Sequence, residues 1–128
     1  MKIEFLLDSS AVLAVLNQET GGESVAPLLP AAAISAVNVV EVITRLIQKG
    51  GGLAQAKLAF EKLEVPVIPL DIIDAMNAAA LITQTKAHGL SLGDRVCLAT
   101  ARRLCIPVVT ADREWKKVHA GVTVRCIR

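Results

Sequence analysis

The segment Ile3-Glu4-Phe5-Leu6-Leu7-Asp8-Ser9-Ser10-Ala11-Val12-Leu13-Ala14-Val15-Leu16 sets the reading of the fold. Its first five residues form a short apolar run that stops at an acid, and that reads as a buried strand. Ser9 and Ser10 then offer side-chain caps for a helix over Ala11 to Leu16. Outward from this segment, short strands and helices keep alternating. Glu23 to Leu29 reads as a short helix ending near Pro30, and Ala32-Ala33-Ile34 as a short strand. Ser35 caps a helix to about Lys49, which Gly50-Gly51-Gly52 stops. Leu53 to Leu63 is helical, and Val65 to Leu70 is strand-like, its prolines favouring a short or edge position. Asp71 caps a long alanine-rich helix to about Ala87, and Ser91 starts another to Leu104. Ile106 to Thr110 reads as a strand, Glu114 to Val118 as a short helix and Val122 to Cys126 as the last strand. This order predicts an α/β fold: a three-layer α/β/α sandwich with a mostly parallel central sheet of four to five strands, in one domain over residues 1–128.

Composition narrows the function. Of the 128 residues, 53% are apolar, which excludes a disordered chain. Only Phe5, Phe60 and Trp115 are aromatic, which argues against recognition of RNA by an aromatic stacking sheet. Fourteen basic against twelve acidic residues give a net charge of +2, so any action on nucleic acid must come from a localised site. Cys97, Cys105 and Cys126 match no zinc spacing, and Cys97 and Cys126 read as core fillers. Met1-Lys2-Ile3-Glu4 leads straight into a strand without a signal-peptide layout. The longest apolar stretch, Ala31 to Ile47, carries Ser35, Asn38, Glu41, Thr44 and Arg45, too many polar groups to cross a bilayer. A cytoplasmic protein with no membrane partner is expected.

Four acids stand out. Asp8 and Asp112 each follow a strand, and in an open parallel sheet such ends form the binding crevice. Each is also placed to cap the helix that follows. Asp94 shares a helical stripe with Cys97, Leu98 and Ala101, where an unpaired carboxylate is costly; first-turn placement or a cation would each relieve it. Glu41 lies in an apolar helix with Arg45 one turn on, so either a surface ion pair or a place in the same crevice is open to it. Clustered carboxylates raise one another's pKa, and a hard divalent cation removes the conflict.

These residues carry a family resemblance. Leu6-Leu7-Asp8-Ser9-Ser10-Ala11, Ser35-Ala36-Val37-Asn38-Val39-Val40-Glu41, Leu90-Ser91-Leu92-Gly93-Asp94-Arg95 and Val109-Thr110-Ala111-Asp112-Arg113 follow in order at family-like spacing. Together they resemble the PIN-domain ribonucleases, and among these the VapC-like toxins of type II toxin–antitoxin systems. The resemblance implies a PIN-like fold and a Mg²⁺-dependent endoribonuclease, with Mn²⁺ able to substitute. It implies that Asp8, Asp94 and Asp112 ligate the metal, and that Glu41 holds a second ion or orients water. It also implies an RNA substrate, a cognate antitoxin partner and a homodimer. The apolar early helices and the Ala31–Ile47 region are candidates for an antitoxin groove.

Arg95, Arg113, Lys116 and Lys117 lie near the acids and are candidates for the RNA backbone, while Arg102 and Arg103 read as surface charges. Ser9, Ser10 and Thr110 are candidates for hydrogen bonds that orient the carboxylates. Three alternatives remain open on the sequence. One is a metal-free acid–base pair of His88 and His119. Another is a phosphoacceptor receiver domain, although only one acid, Asp8, follows the first strand. The last is a catalytically silent binding module on the same fold.

Overall fold

The computed structural model describes residues 2–128, so Met1, the first residue of the expected lead-in, lies outside the described residues. Five short strands form one sheet: β1 (Phe5–Leu7), β2 (Ala32–Ser35), β3 (Val67–Ile68), β4 (Val108–Thr110) and β5 (Val124–Cys126). Their order is β3-β2-β1-β4-β5, and every neighbouring pair is parallel. Parallel neighbours need crossover connections, and helices supply them. The helices are α1 (Ser9–Leu16), α2 (Gly22–Val25), α3 (Ala36–Gln48), α4 (Leu53–Glu61), α5 (Ile72–Ala80), α6 (Ile82–Thr85) and α7 (Leu92–Leu104).

Strand periodicity divides the core into two layers. Leu6, Ala33 and Val108 point to the face that Cys97, Leu98 and Trp115 cover, with Ala78 of α5. Leu7, Ile34 and Val109, the next residue in each strand, point to the face covered by Val12, Val25 and Val42. All six strand residues are fully buried, as the near-continuous apolar runs of a parallel sheet require. The three-layer expectation holds, and the sheet is wholly parallel.

Two helices are shorter than the sequence suggests. The expected run from Asp71 to about Ala87 breaks after Ala80 into α6 and a 3-10 turn, Lys86–His88. β-Branched Ile82, Thr83 and Thr85 weaken the continuation. Thr85 donates to the Leu81 carbonyl at 2.9 Å, a competing bond of the kind that bends helices. The expected helix over Glu23 to Leu29 is α2 followed by a 3-10 helix, Ala26–Ala31, which contains Pro27 and Pro30.

An ion pair between buried Asp74 and exposed Arg103 fastens α5 to α7, which gives a residue read as a surface charge a structural role as well. Asp74 is 0% exposed. Arg103 Nε and Nη2 each donate to it at 2.8 Å, and Thr100 Oγ1 donates at 3.1 Å. The Arg103 hydrogen bonds hold the Asp74 pKa below the usual carboxylate range against the opposing effect of burial.

Candidate active site

The chain enters the sheet at β1, with β2 on one side and β4 on the other. That is a topological switch point, where the loops after two neighbouring strands diverge and leave a crevice at their carboxyl ends. Asp8 follows β1 there and is 2% exposed. Its Oδ1 accepts from the Ala11 N–H at 2.8 Å, capping α1, and from Ser10 Oγ at 2.7 Å. Its Oδ2 accepts from Thr110 Oγ1, at the end of β4, at 2.5 Å. Ser10 Oγ in turn accepts from the Ala111 N–H at 2.9 Å. The loops after β1 and β4 are thereby tied together through Asp8. Burial pushes the Asp8 pKa up to about 6, against three hydrogen bonds that lower it, and the Asp94 charge adds to the rise.

Asp112 lies just past β4. Its N–H donates to Thr110 Oγ1 at 3.1 Å, and its Oδ1 accepts from the Glu114 N–H at 3.0 Å, capping the 3-10 turn Arg113–Lys117. Asp94 sits in the first turn of α7 in a capping box. Its N–H donates to Ser91 Oγ at 3.2 Å, and its Oδ2 accepts from the Ser91 N–H at 2.9 Å. Its pKa is raised by burial first, with the charges of Glu41 and Asp112 adding to the rise. The buried Cys97 thiol is pushed up by burial, then by the charges of Asp8, Asp94 and Glu41. Asp8, Glu41, Asp94 and Asp112 therefore share one electrostatic neighbourhood. Capping, one of the readings left open by the sequence, holds for Asp8, Asp94 and Asp112, while the charges of Asp8, Glu41 and Asp112 act on or are felt by Asp94.

Glu41 forms no ion pair with Arg45 among the described residues. Its Oε1 accepts from Asn38 Nδ2 at 2.7 Å instead. Asn38 is 0% exposed, its Oδ1 accepts from Ser35 Oγ at 3.0 Å, and its Nδ2 also reaches the Gly93 carbonyl at 3.4 Å. Sequence reasoning missed both Asn38 and Gly93. A Cβ at Gly93 would meet the Glu41 carboxylate, lying 2.6 Å from Cδ and 2.7 Å from Oε1. Their signals were an amide three residues before an acid on one helix face, and a glycine inside a helix where it is unfavourable.

A protein-family model, the PIN domain, matches residues 5–121. The chain belongs to the PIN-domain family. No curated protein matches it. Solved structures share its fold. DNA-bound VapBC from Salmonella typhimurium aligns with a TM-score of 0.79 at 17% identity, covering 98% of this chain and 99% of that one. VapBC2 from Rickettsia felis, bound to a promoter DNA fragment, aligns at 0.76 and 14%, covering 96% and 98%. VapC20 of Mycobacterium tuberculosis, a sarcin-ricin loop cleaving toxin, aligns at 0.75 and 18%, covering 88% and 93%.

In this PIN domain, no group of three or more histidine, cysteine, aspartate or glutamate side chains among the described residues is placed to hold a metal ion. The donor set nevertheless suits a hard cation. Glu41, Asp94 and Asp112 each engage one carboxylate oxygen with the chain, and among the described residues the other has no hydrogen-bond partner. All available donors are oxygens, and Mg²⁺ retains several waters, so it does not need a tight protein cage.

The basic candidates divide. Arg95 is next to Asp94 in sequence but about 100° round the helix. Its Nη1 donates to the Ala78 carbonyl of α5 at 3.1 Å and its Nε is buried without a partner, so it faces the seam between α5 and α7. Arg113 Nε donates to the Arg128 carbonyl at 3.0 Å, and Lys117 Nζ to Glu114 Oε1 at 2.9 Å. Lys116 is exposed. Nδ1 of His88 lies 3.3 Å from Glu114 Oε2, which gives that ring a hydrogen-bond partner of its own. No helix among the described residues is long and apolar enough to cross a membrane.

Proposed function

We propose that this PIN domain is a Mg²⁺-dependent endoribonuclease and the toxin of a type II toxin–antitoxin pair. What supports it is that Asp8 and Asp112 follow the neighbouring strands β1 and β4, that Asp94 lies close enough to feel the charges of Glu41 and Asp112 and to act on Asp8, and that Glu41, Asp94 and Asp112 each keep a free oxygen. Asp94 and Asp112 would offer the metal their free oxygens, Asp8 would join them through the second lone pair of a hydrogen-bonded oxygen, and Glu41 would hold a second ion or orient the attacking water. Mn²⁺ fits the same oxygen donors. A bound Mg²⁺ supplies Lewis-acid stabilisation and makes its water a better nucleophile.

The chain's own residues fix the geometry. Thr110 and Ser10 hold Asp8, and the capping box holds Asp94. The Ser9 hydroxyl stands at the start of α1 in the same crevice. Attack by water in line with the 3′ oxygen forms one P–O bond and breaks the other, leaving a 5′-phosphate and a 3′-hydroxyl. Arg113, Lys116 and Lys117 flank Asp112 and suit contacts to the RNA backbone. A toxin of this kind acts in the cytoplasm, forms a homodimer and is silenced by an antitoxin. VapBC complexes among the similar structures support that partner.

Purified protein incubated with structured and single-stranded RNA tests the reading. Cleavage with Mg²⁺ that leaves 5′-phosphate ends and stops with EDTA is expected. Cleavage that persists in EDTA, or products ending in cyclic phosphate, would overturn it.

A further inference from the structure

A groove of about 450 Å³ runs between α1 and α3 and opens on the acidic centre through Ser10 and Glu41. The two helices present to it residues spaced one turn apart, which share a face. From α3 these are Val40, Thr44 and Gln48, with Arg45 beside them; from α1, Leu13 follows Ser9. Val40 is 65% exposed, a large apolar side chain left facing water. Arg45 is exposed and no carboxylate pairs with it among the described residues, since Glu41 is held by Asn38. Its place in the last turn of α3 suits the helix dipole, but the dipole does not account for its position at the groove.

The groove thus joins an unpaired guanidinium, an aliphatic wall and two neutral hydrogen-bonding heads, next to acids that suit phosphodiester cleavage. We propose that it seats the nucleotide adjoining the scissile phosphate of single-stranded RNA. This rests on the endoribonuclease reading above. Arg45 binds the phosphate of that nucleotide by a charge-assisted, bidentate contact. Val40, with the exposed edge of largely buried Leu13 behind it, supplies an aliphatic surface for the base in a chain almost without aromatic rings. Gln48 has both donor and acceptor, and Thr44 a hydroxyl, so together they read the base edge. The chemistry favours RNA over a protein segment. Six of the eight lining residues carry a polar or charged head, whereas a docked amphipathic helix calls for an apolar stripe.

The test uses the whole chain and short single-stranded RNA. Arg45, Thr44 and Gln48 are exposed, so Arg45→Ala, Thr44→Val and Gln48→Ala fold as the parent does. Arg45→Ala raises KM about tenfold with kcat within about twofold, as loss of one charged contact predicts. In an Asp94→Asn background, where RNA stays intact, Arg45→Ala lowers the slope of log affinity against log salt by about 0.7, the value for one phosphate on a single strand. Arg45→Lys restores the slope but only part of the affinity. Gln48→Ala and Thr44→Val change the base distribution beside the cut in a randomised RNA pool. Unchanged KM, salt slope and cut-site distribution in variants of an RNA-cleaving parent would overturn the groove assignment alone. So would variants that lose affinity only for a co-encoded antitoxin protein, which would make the groove a protein dock. A parent that neither binds nor cleaves RNA in Mg²⁺ would overturn the endoribonuclease reading, and the groove with it.

Discussion

Gly93→Ala separates folding from catalysis. The added Cβ would lie 2.6 Å from Glu41 Cδ and 2.7 Å from Oε1. Ordinary carbon contacts are about 3.5–4.0 Å, so the carboxylate must retreat by roughly 1 Å. It can do so, because it is the far end of a flexible side chain. The retreat breaks the 2.7 Å bond from Asn38 Nδ2. Stripping a partner from that buried amide costs about 1–3 kcal/mol. Replacing glycine by alanine within a helix returns up to about 1 kcal/mol. The net loss of about 0–3 kcal/mol leaves the protein folded, with Tm lowered by at most about 11 °C. Activity responds far more, since a misplacement of about 1 Å in a catalytic group costs on the order of 10²-fold. The assay is Mg²⁺-dependent cleavage of a labelled RNA, beside thermal unfolding followed by circular dichroism. If the loss runs through Glu41, Gly93→Ala has almost no further effect in a Glu41→Gln background. A fully active Gly93→Ala, or losses that simply multiply in the double variant, would refute the reasoning.

Other consequences are as direct. Asp94→Asn keeps an acceptor for the Ser91 N–H and hence the fold, but lowers Mg²⁺-dependent cleavage by about 10³-fold or more, read from single-turnover kinetics. Mg²⁺ at about ten times its Kd stabilises the protein by about 1.4 kcal/mol, and EDTA reverses this. Because the Asp8 pKa is about 6, metal-free stability falls as pH rises from the unfolded value near 3.9 through 6, and added Mg²⁺ offsets that loss. The Mg²⁺-induced Tm increase is therefore larger at pH 7.5 than at pH 5.5, and equal increases would count against Asp8 as a ligand. Asp74 carries the opposite sign: its pKa is lowered, so its contribution is complete above the unfolded value and is lost as pH falls through the folded one. Arg103→Met leaves that carboxylate with Thr100 as its only side-chain partner and, because solvent screens the exposed guanidinium, costs about 1–2 kcal/mol at pH 7. Burial then raises the Asp74 pKa, so urea denaturation should show a smaller gap at pH 4.5, and an unchanged gap would exclude this account.

Local pattern carried much of the fold. The apolar runs at Leu6-Leu7, Ala33-Ile34 and Val108-Val109 are strands because both faces of a parallel sheet are buried, and that leaves a continuous apolar mark on the chain. The caps at Asp8, Ser35, Asp71 and Ser91 are equally local, since each satisfies N–H groups within three residues. Where the alanine-rich helix after Asp71 ends was poorly legible, because alanine favours helix while buried Thr85 and Leu81 impose the break through packing.

The acids could be singled out from strand ends and helix first turns, but the sequence left each with a second explanation. Tertiary structure alone decided that Glu41 bonds Asn38 instead of Arg45, that Gly93 makes room for its carboxylate, and that Arg95 faces α5. It likewise paired buried Asp74 with exposed Arg103. Contacts at the site also join residues far apart in the chain, as between Asp8 and Thr110, 102 positions apart. Local propensity reaches only a few residues along the chain, so it determines where strands and caps lie. Which side chains meet depends on strand order and helix packing, which exist only once the sheet has closed.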